Sequence, residues 1–209
     1  MSDTGRRERR LEILSAVLMA LATVATAWCA YQSAEWGGEQ AFLLGESQRA
    51  GREASLQSTL AAQQRALDVA VFMEWVGAVA TGNDRQQKFY EARFSDHLAK
   101  AVEAWRATEP LTRPGAPPHP FAMAEYKVVQ DARAKAAAAE SAEKWQLARE
   151  YDANGDRYVL LTVLFASVLF FAGIAEKFES GGVQVAVLAM GSVVFLLAFG
   201  TMLTYPVWL

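Results

Sequence analysis

Apolar residues in this chain are bunched rather than spread. Residues 13–30 read ILSAVLMALATVATAWCA and residues 158–175 read YVLLTVLFASVLFFAGIA, each 18 residues without a charge. Residues 183–203, VQVAVLAMGSVVFLLAFGTML, are broken only by Gln184. At the helical rise of 1.5 Å, 18 residues cover about 27 Å, close to the thickness of a hydrocarbon core. Inside lipid a segment must satisfy its own backbone hydrogen bonds, so each stretch is read as a spanning helix. The expected fold is all-α: three transmembrane helices with a long helical extracytoplasmic bundle, or stalk, between spans 1 and 2.

That reading divides the chain into a basic cytoplasmic N-terminus (1–12), span 1 (13–31), a helical bundle (32–157), span 2 (158–176), a cytoplasmic connector (177–182), span 3 (183–204) and an outer tail (205–209). In the bundle, residues 39–81 can form one helix, with Leu56, Leu60, Leu67, Val71 and Trp75 as its apolar stripe. Residues 68–80 are apolar, but they are too short and carry too many carboxylates for a span, so they are assigned to the bundle core. Gly82-Asn83-Asp84 marks a turn, with Asn83 or Asp84 able to cap the next helix. Tyr90, Phe94, Leu98, Ala101 and Trp105 then follow at helical spacing and are assigned to the core of that helix, which ends before Pro110. Five of the six prolines lie in 110–120, EPLTRPGAPPHP with its preceding Glu109, so this stretch is expected to be an extended loop.

A third, alanine-rich helix is expected from about Ala122 to Asp152, with a thin seam of Tyr126, Val129, Trp145, Leu147 and Tyr151. Asn154-Gly155 is expected to interrupt it before span 2. The first helix would reach about 65 Å and the second return about 37 Å, leaving the proline loop to cover the difference.

Charge adds an orientation. Arg6, Arg7, Arg9 and Arg10 precede span 1 and Lys177 lies in the connector, which places both on the cytoplasmic side and the bundle outside. The same arginines before an apolar run, with Ala25-Thr26-Ala27 as a small-x-small cleavage site, also fit a secretory leader. We expect the segment to stay as an anchor. Trp28, Tyr31, Trp36, Tyr158, Tyr205 and Trp208 fall at the expected outer interface. The net charge of −3 excludes broad electrostatic capture, so no nucleic-acid partner is expected. Cys29 alone supports neither an intrachain disulfide nor a multi-thiolate metal site.

Candidate chemistry is sparse. Trp36, Gly37, Gly38 and Glu39 are assigned to the membrane junction: an interfacial tryptophan, two glycines at a change of helix direction, and a carboxylate near a new helix N-terminus. Ala22, Thr26 and Ala30 form a small-residue ridge assigned to span packing, with Gly191, Gly200 and Ala186 offering close approach on span 3. Asp152-Ala-Asn154-Gly-Asp156 lacks the glycine and glutamate positions of a calcium loop. His97 and His119 lack ligand-spaced partners, and no metal or cofactor is expected. No hydrolase, nucleotide-binding or zinc-protease motif occurs. The spans carry no ionisable side chain, which argues against a single-chain ion-coupled transporter.

One resemblance remains. T-A-W-C-A-Y-Q-S-A-E-W-G-G-E-Q-A at 26–41, A-T-G-N at 80–83, P-G-A-P-P-H-P-F-A-M-A-E-Y at 114–126 and V-L-F-A-S-V-L-F-F-A-G-I at 163–174 together resemble an uncharacterised family of prokaryotic integral membrane proteins. The resemblance implies a bacterial or archaeal envelope location and transfers no activity. The functional expectation is a non-enzymatic protein of the cell inner membrane. Bathed in membrane lipid, it would act by assembly, as a homo-oligomer or as an accessory subunit of a larger complex. The alternatives are an oligomeric pore and an envelope-lipid enzyme using Glu39 or His97 as a general base.

Overall fold

The computed structural model describes residues 3–110, 112–178 and 180–208. The chain is all-helical, and no strand occurs among the described residues. Helix α1 runs Asp3–Ala80, α2 Asp84–Glu91, α3 Asp96–Ala107, α4 Val129–Ala175 and α5 Gly181–Met202, with one 3-10 turn at Pro120–Ala122. Three of these helices, α1, α4 and α5, are long and apolar enough to cross a membrane. The chain forms two compact units: residues 1–45 with 144–209, and residues 46–143. The polar flanks 32–45 and 144–157 therefore belong to the unit that holds the three apolar segments.

Two expected interruptions are absent. α1 passes through Trp36-Gly37-Gly38 without a break, so the glycines do not change its direction and Glu39 lies mid-helix. α4 likewise passes through Asn154-Gly155, and the separate third helix and second span are one element that begins at Val129 rather than Ala122. Conversely, the helix expected to run from Asn83 to Thr108 is two helices. α2 ends at Glu91, and Ser95 caps α3, its hydroxyl accepting from the Leu98 amide at 3.3 Å. Asn83 caps α2 through its side-chain oxygen and the Gln86 amide.

The continuity of α1 has a physical cause in its buried positions. Ser15, Ala22, Cys29, Trp36, Leu43, Ala50, Gln57 and Ala78 are buried, and Gln64 and Val71 are half-buried. These ten residues recur every seven, the repeat that keeps one face of a long helix against a partner. Few of them are large and apolar, so a search for leucine-type stripes does not see them.

In the first unit, α1, α4 and α5 share two clusters. Leu18 and Ala22 pack with Val168, Ala172, Ala175 and Leu188; Ala25, Cys29 and Trp36 pack with Tyr158, Leu161, Phe165 and Ala198. The Ser15 hydroxyl donates to the Ala172 carbonyl at 3.0 Å. Of the expected packing ridge, Ala22 is fully buried, Thr26 is half-buried with its hydroxyl turned back onto the Ala22 carbonyl, and Ala30 is exposed. The packing face is thus rotated to Ala22, Ala25 and Cys29. The correction follows from spacing: a strict i+4 row drifts around a helix, whereas alternating steps of three and four stay on one side. On α5, Gly200 and Ala186 are exposed, while Gly191 is the point of close approach, where an added Cβ would stand 3.2 Å from Phe171 Cβ. Large apolar side chains such as Val24, Phe170, Leu196 and Leu197 face outward.

The C-terminal tail is fastened to this unit. The fully buried Gln32 side chain receives the Trp208 amide at 2.7 Å and donates to the Trp208 carbonyl at 3.0 Å. The Tyr158 hydroxyl donates to the Pro206 carbonyl at 3.0 Å. Trp36 is therefore not an exposed interfacial anchor. It is buried, with its ring edge-on to Tyr151 and Trp208.

In the second unit, α1 and α4 run antiparallel at very short range. Ser47 and Ser141 each donate to the other's backbone carbonyl at 2.8 Å, and Gly51 faces the Ser141 hydroxyl. Arg49 pairs with Glu140, and Arg65 with Asp131. The buried seam is Ala50, Gln57, Ala61 and Ala137, whereas Leu56, Leu60 and Leu67 lie exposed. Val129, placed by the pattern on the seam of the third helix, is also exposed, as is Trp145 of the first unit. Small residues win the seam because two backbones this close leave no room for leucine.

Two outcomes test this description. Replacing Gln32 by Leu should cost about 2 kcal/mol by leaving the Trp208 amide and carbonyl unpaired. Deleting residues 208–209 should cost a similar amount and the two changes together no more than one, read as melting of the detergent-solubilised protein. A Cβ added at Gly37 or Gly38 meets nothing within 4 Å. Gly37→Ala and Gly38→Ala should therefore each stabilise α1 by about 0.5–1 kcal/mol, and a loss of stability would restore a structural role for a hinge there.

Candidate functional site

The second unit concentrates its aromatic and polar chemistry where α1, α2, α3 and the segment after the proline loop meet. Phe72, Trp75, Leu98 and Val102 form the buried centre, with Tyr90, Phe94, Trp105, Phe121 and Tyr126 packed around it. All four residues assigned to the bundle core, Tyr90, Phe94, Leu98 and Trp105, lie in this one cluster although they come from two helices and the turn between them. Leu98 is completely enclosed.

Beside the cluster sits a buried carboxylate. Asp68, 3% exposed, is approached by four side chains. Its Oδ1 accepts from Gln64 Nε2 at 3.0 Å and from the Ser95 hydroxyl at 2.9 Å. Its Oδ2 accepts from His97 Nε2 at 2.7 Å and from the Tyr126 hydroxyl at 2.8 Å. A carboxylate has only acceptor sites, and four donors fill them, which is how a buried Asp avoids its desolvation cost. Burial, and then the hydrogen bond to Asp68 and its charge, push the Tyr126 phenol well above its ordinary range.

Aspartate, histidine and serine in contact suggest a nucleophile relay, but the geometry differs. In a relay the carboxylate and the serine meet opposite nitrogens of the imidazole. Here both meet His97 Nε2, Asp68 at 2.7 Å and Ser95 at 3.1 Å, and the Ser95 proton is directed to Asp68. The hydroxyl is not poised against a free base. The arrangement is a clamp that joins α1 to the start of α3 and to Tyr126.

In the same unit an open groove of about 600 Å³ is walled by Trp75, Val76, Val79, Trp105 and Pro110, with Arg106, Glu109 and Thr112 at its polar edge. Both indole N–H groups are used elsewhere: Trp75 donates to Glu91 at 3.0 Å and Trp105 to the Pro117 carbonyl at 2.7 Å. Arg106 lies 4.8 Å from the centre of the Trp75 ring and 3.4 Å from Glu91. Burial tends to raise the Glu91 pKa, but hydrogen bonds from Gln87 and Trp75 and the charge of Arg106 outweigh it and hold the carboxyl below its ordinary value.

The assigned junction residues contribute no comparable cluster: Trp36 is enclosed, Gly37 and Gly38 are inside α1, and Glu39 is half-buried on the same helix. Ala22, Thr26 and Ala30 belong to the other unit. No group of three His, Cys, Asp or Glu side chains is placed to hold a metal among the described residues. Sequence reasoning missed Gln64 and Ser95, which carry no motif, and assigned Tyr126 to the seam of the third helix, whereas it precedes α4 and bonds Asp68. Asp68 itself counted only as one of two carboxylates, with Glu74, that keep residues 68–80 from being a span.

The clamp can be tested directly. Asp68→Ala leaves four half-buried donors without their acceptor and should cost about 3 kcal/mol. Asp68→Asn should recover little, because its amide group presents protons to donors. A melting temperature unchanged in Asp68→Ala would remove the clamp from the fold.

The chain matches no family model, no curated protein and no solved structure, so its function is argued from this geometry.

Proposed function

We propose that this chain is a multi-pass protein of a prokaryotic inner membrane, N-terminus inside, that acts by assembling with copies of itself through the second unit. One observation carries the reading: Leu56, Leu60 and Leu67, 52%, 39% and 63% exposed, form a row on the flank of α1 away from α4. Scattered surface leucines need no explanation, but three on one helix face form a patch. Glu53 and Glu74 bound the row in sequence, giving an apolar centre and a charged rim. The α1/α4 seam in this unit is thin, so the leucines are the larger apolar resource.

A second copy covers the row most simply. A two-fold axis sets each leucine near its own counterpart, a self-complementary contact. The outward apolar rows of the first unit support placement in lipid, and the arginines before α1 with Lys177 support the orientation.

The decisive experiment is oxidative cross-linking in native membranes. Leu60→Cys should give a disulfide-linked dimer, while Ser58→Cys, on a different flank of α1, should not. Replacing Leu56, Leu60 and Leu67 together by Ser should convert the assembly to monomers on native mass spectrometry with little change in melting. Monomeric wild-type protein and no Leu60→Cys dimer would overturn the reading.

A further inference from the structure

On the reading that copies of this chain associate through the leucine row, we infer that the contact is a parallel two-helix coiled coil whose register is selected by Gln63, set opposite its own counterpart, and by Arg52, set against Glu53 of the other copy.

The geometry of α1 is the first support. Its buried face recurs every seven residues through Ala50, Gln57, Gln64, Val71 and Ala78, of which Gln64 and Val71 are half-buried. On a helix held to that repeat, any other positions seven apart stay on a line parallel to the buried seam and do not wind round it. Glu53, Leu60, Leu67 and Glu74 form one such line, and Leu56, Gln63 and Ala70 form the next. All of them are exposed. Taken together they step alternately by three and four, the spacing of a coiled-coil core. α1 therefore carries two seams, one filled by α4 and one open.

The composition of the open seam is the second support. It has no β-branched residue, so the side-chain shapes that set strand number and register are missing. Gln63 lies between Leu60 and Leu67 and is the polar residue within this apolar centre. Its amide is both donor and acceptor, so two Gln63 side chains that face each other satisfy one another. A slip of seven residues would set each against Leu56 or Ala70 and bury an unpaired amide.

Charge is the third support, and it is self-complementary. Arg52 borders the open seam, is exposed and makes no ion pair among the described residues. Glu53, beside it, accepts from Gln57 Nε2 at 2.9 Å, which holds the carboxylate at the seam's edge. In a parallel pair the residue before a core position flanks the same layer of the other helix, so each Arg52 meets Glu53 of the other copy and two identical ion pairs form. α1 is unbroken from its apolar segment to this row, so the rows of two copies in one membrane run the same way. At Glu74 the Tyr90 hydroxyl of α2 donates to the carboxylate at 3.3 Å, and the open seam ends there.

The test uses the full chain, cross-linked in native membranes and weighed by native mass spectrometry. Gln63→Cys should give a disulfide-linked dimer. Gln63→Glu and Gln63→Lys should each lose self-association about tenfold when expressed alone, and should pair with each other when expressed together. Arg52→Glu and Glu53→Arg should each weaken the dimer about tenfold, and the double variant should recover it, with melting unchanged in all three. A Leu60→Cys dimer without a Gln63→Cys dimer, no pairing between the Gln63→Glu and Gln63→Lys copies, or no recovery in the double variant would each overturn the coiled coil while self-assembly stands. Monomers of the unaltered chain would overturn both.

Discussion

The close approach of α1 and α4 is the constraint on which the rest of the structure depends. A helix of 78 residues is not held by propensity; it needs a partner along a face that does not drift. The seven-residue recurrence from Ser15 to Ala78 supplies that face. Where it meets α4 in the second unit, its residues are small enough that Ser47 and Ser141 reach each other's main chain. Short-range contact between backbones replaces bulk as the source of attraction, as is usual for helices in lipid. The same device operates here in a segment too polar to be a span.

A seam of alanine, serine and glutamine has consequences for what else the sequence can do. It buries little apolar area per turn, so the stability of the second unit must come from elsewhere. It comes from the aromatic cluster at Phe72, Trp75 and Leu98 and from the four donors on Asp68. The buried carboxylate fixes the pairing of α1 with α3, because a shift of one residue would strand it without partners. Specificity of packing is a reasonable role for such a group, provided every hydrogen bond is made.

Much of the architecture is legible in the residues, and the failures have a common cause. The three apolar helices, the absence of strands among the described residues, the turn at Gly82 and the stop before Pro110 all follow from composition and punctuation. What was misread is which face of a helix is buried. Leu56, Leu60 and Leu67 make the more obvious stripe, and they are outside; Ala50, Gln57 and Ala61 make none, and they are inside. The Ala22, Thr26 and Ala30 row failed by rotation for the same reason. Between Tyr90 and Leu98 the i+4 rhythm continues straight through a break, because the turn at residues 92–95 happens to keep Phe94 on the core side. Periodicity records which side chains could face inward together. It does not record whether the backbone between them is helical. The Asp68 cluster was invisible because the partners of Asp68 lie up to 58 residues from it along the chain and share no motif.

The end of α3 shows how one local choice links fold and chemistry. Pro110 disfavours helical geometry for the residue before it, so α3 must stop near Thr108. The chain then needs a sharp exit, and glycine at position 109 would provide it without strain. With Glu109 there instead, the exit is made at a cost, and the Glu109 amide still bonds the Arg106 carbonyl at 3.1 Å. The turn is therefore held by hydrogen bonds and by Trp105, whose indole is tied to Pro117 across the loop.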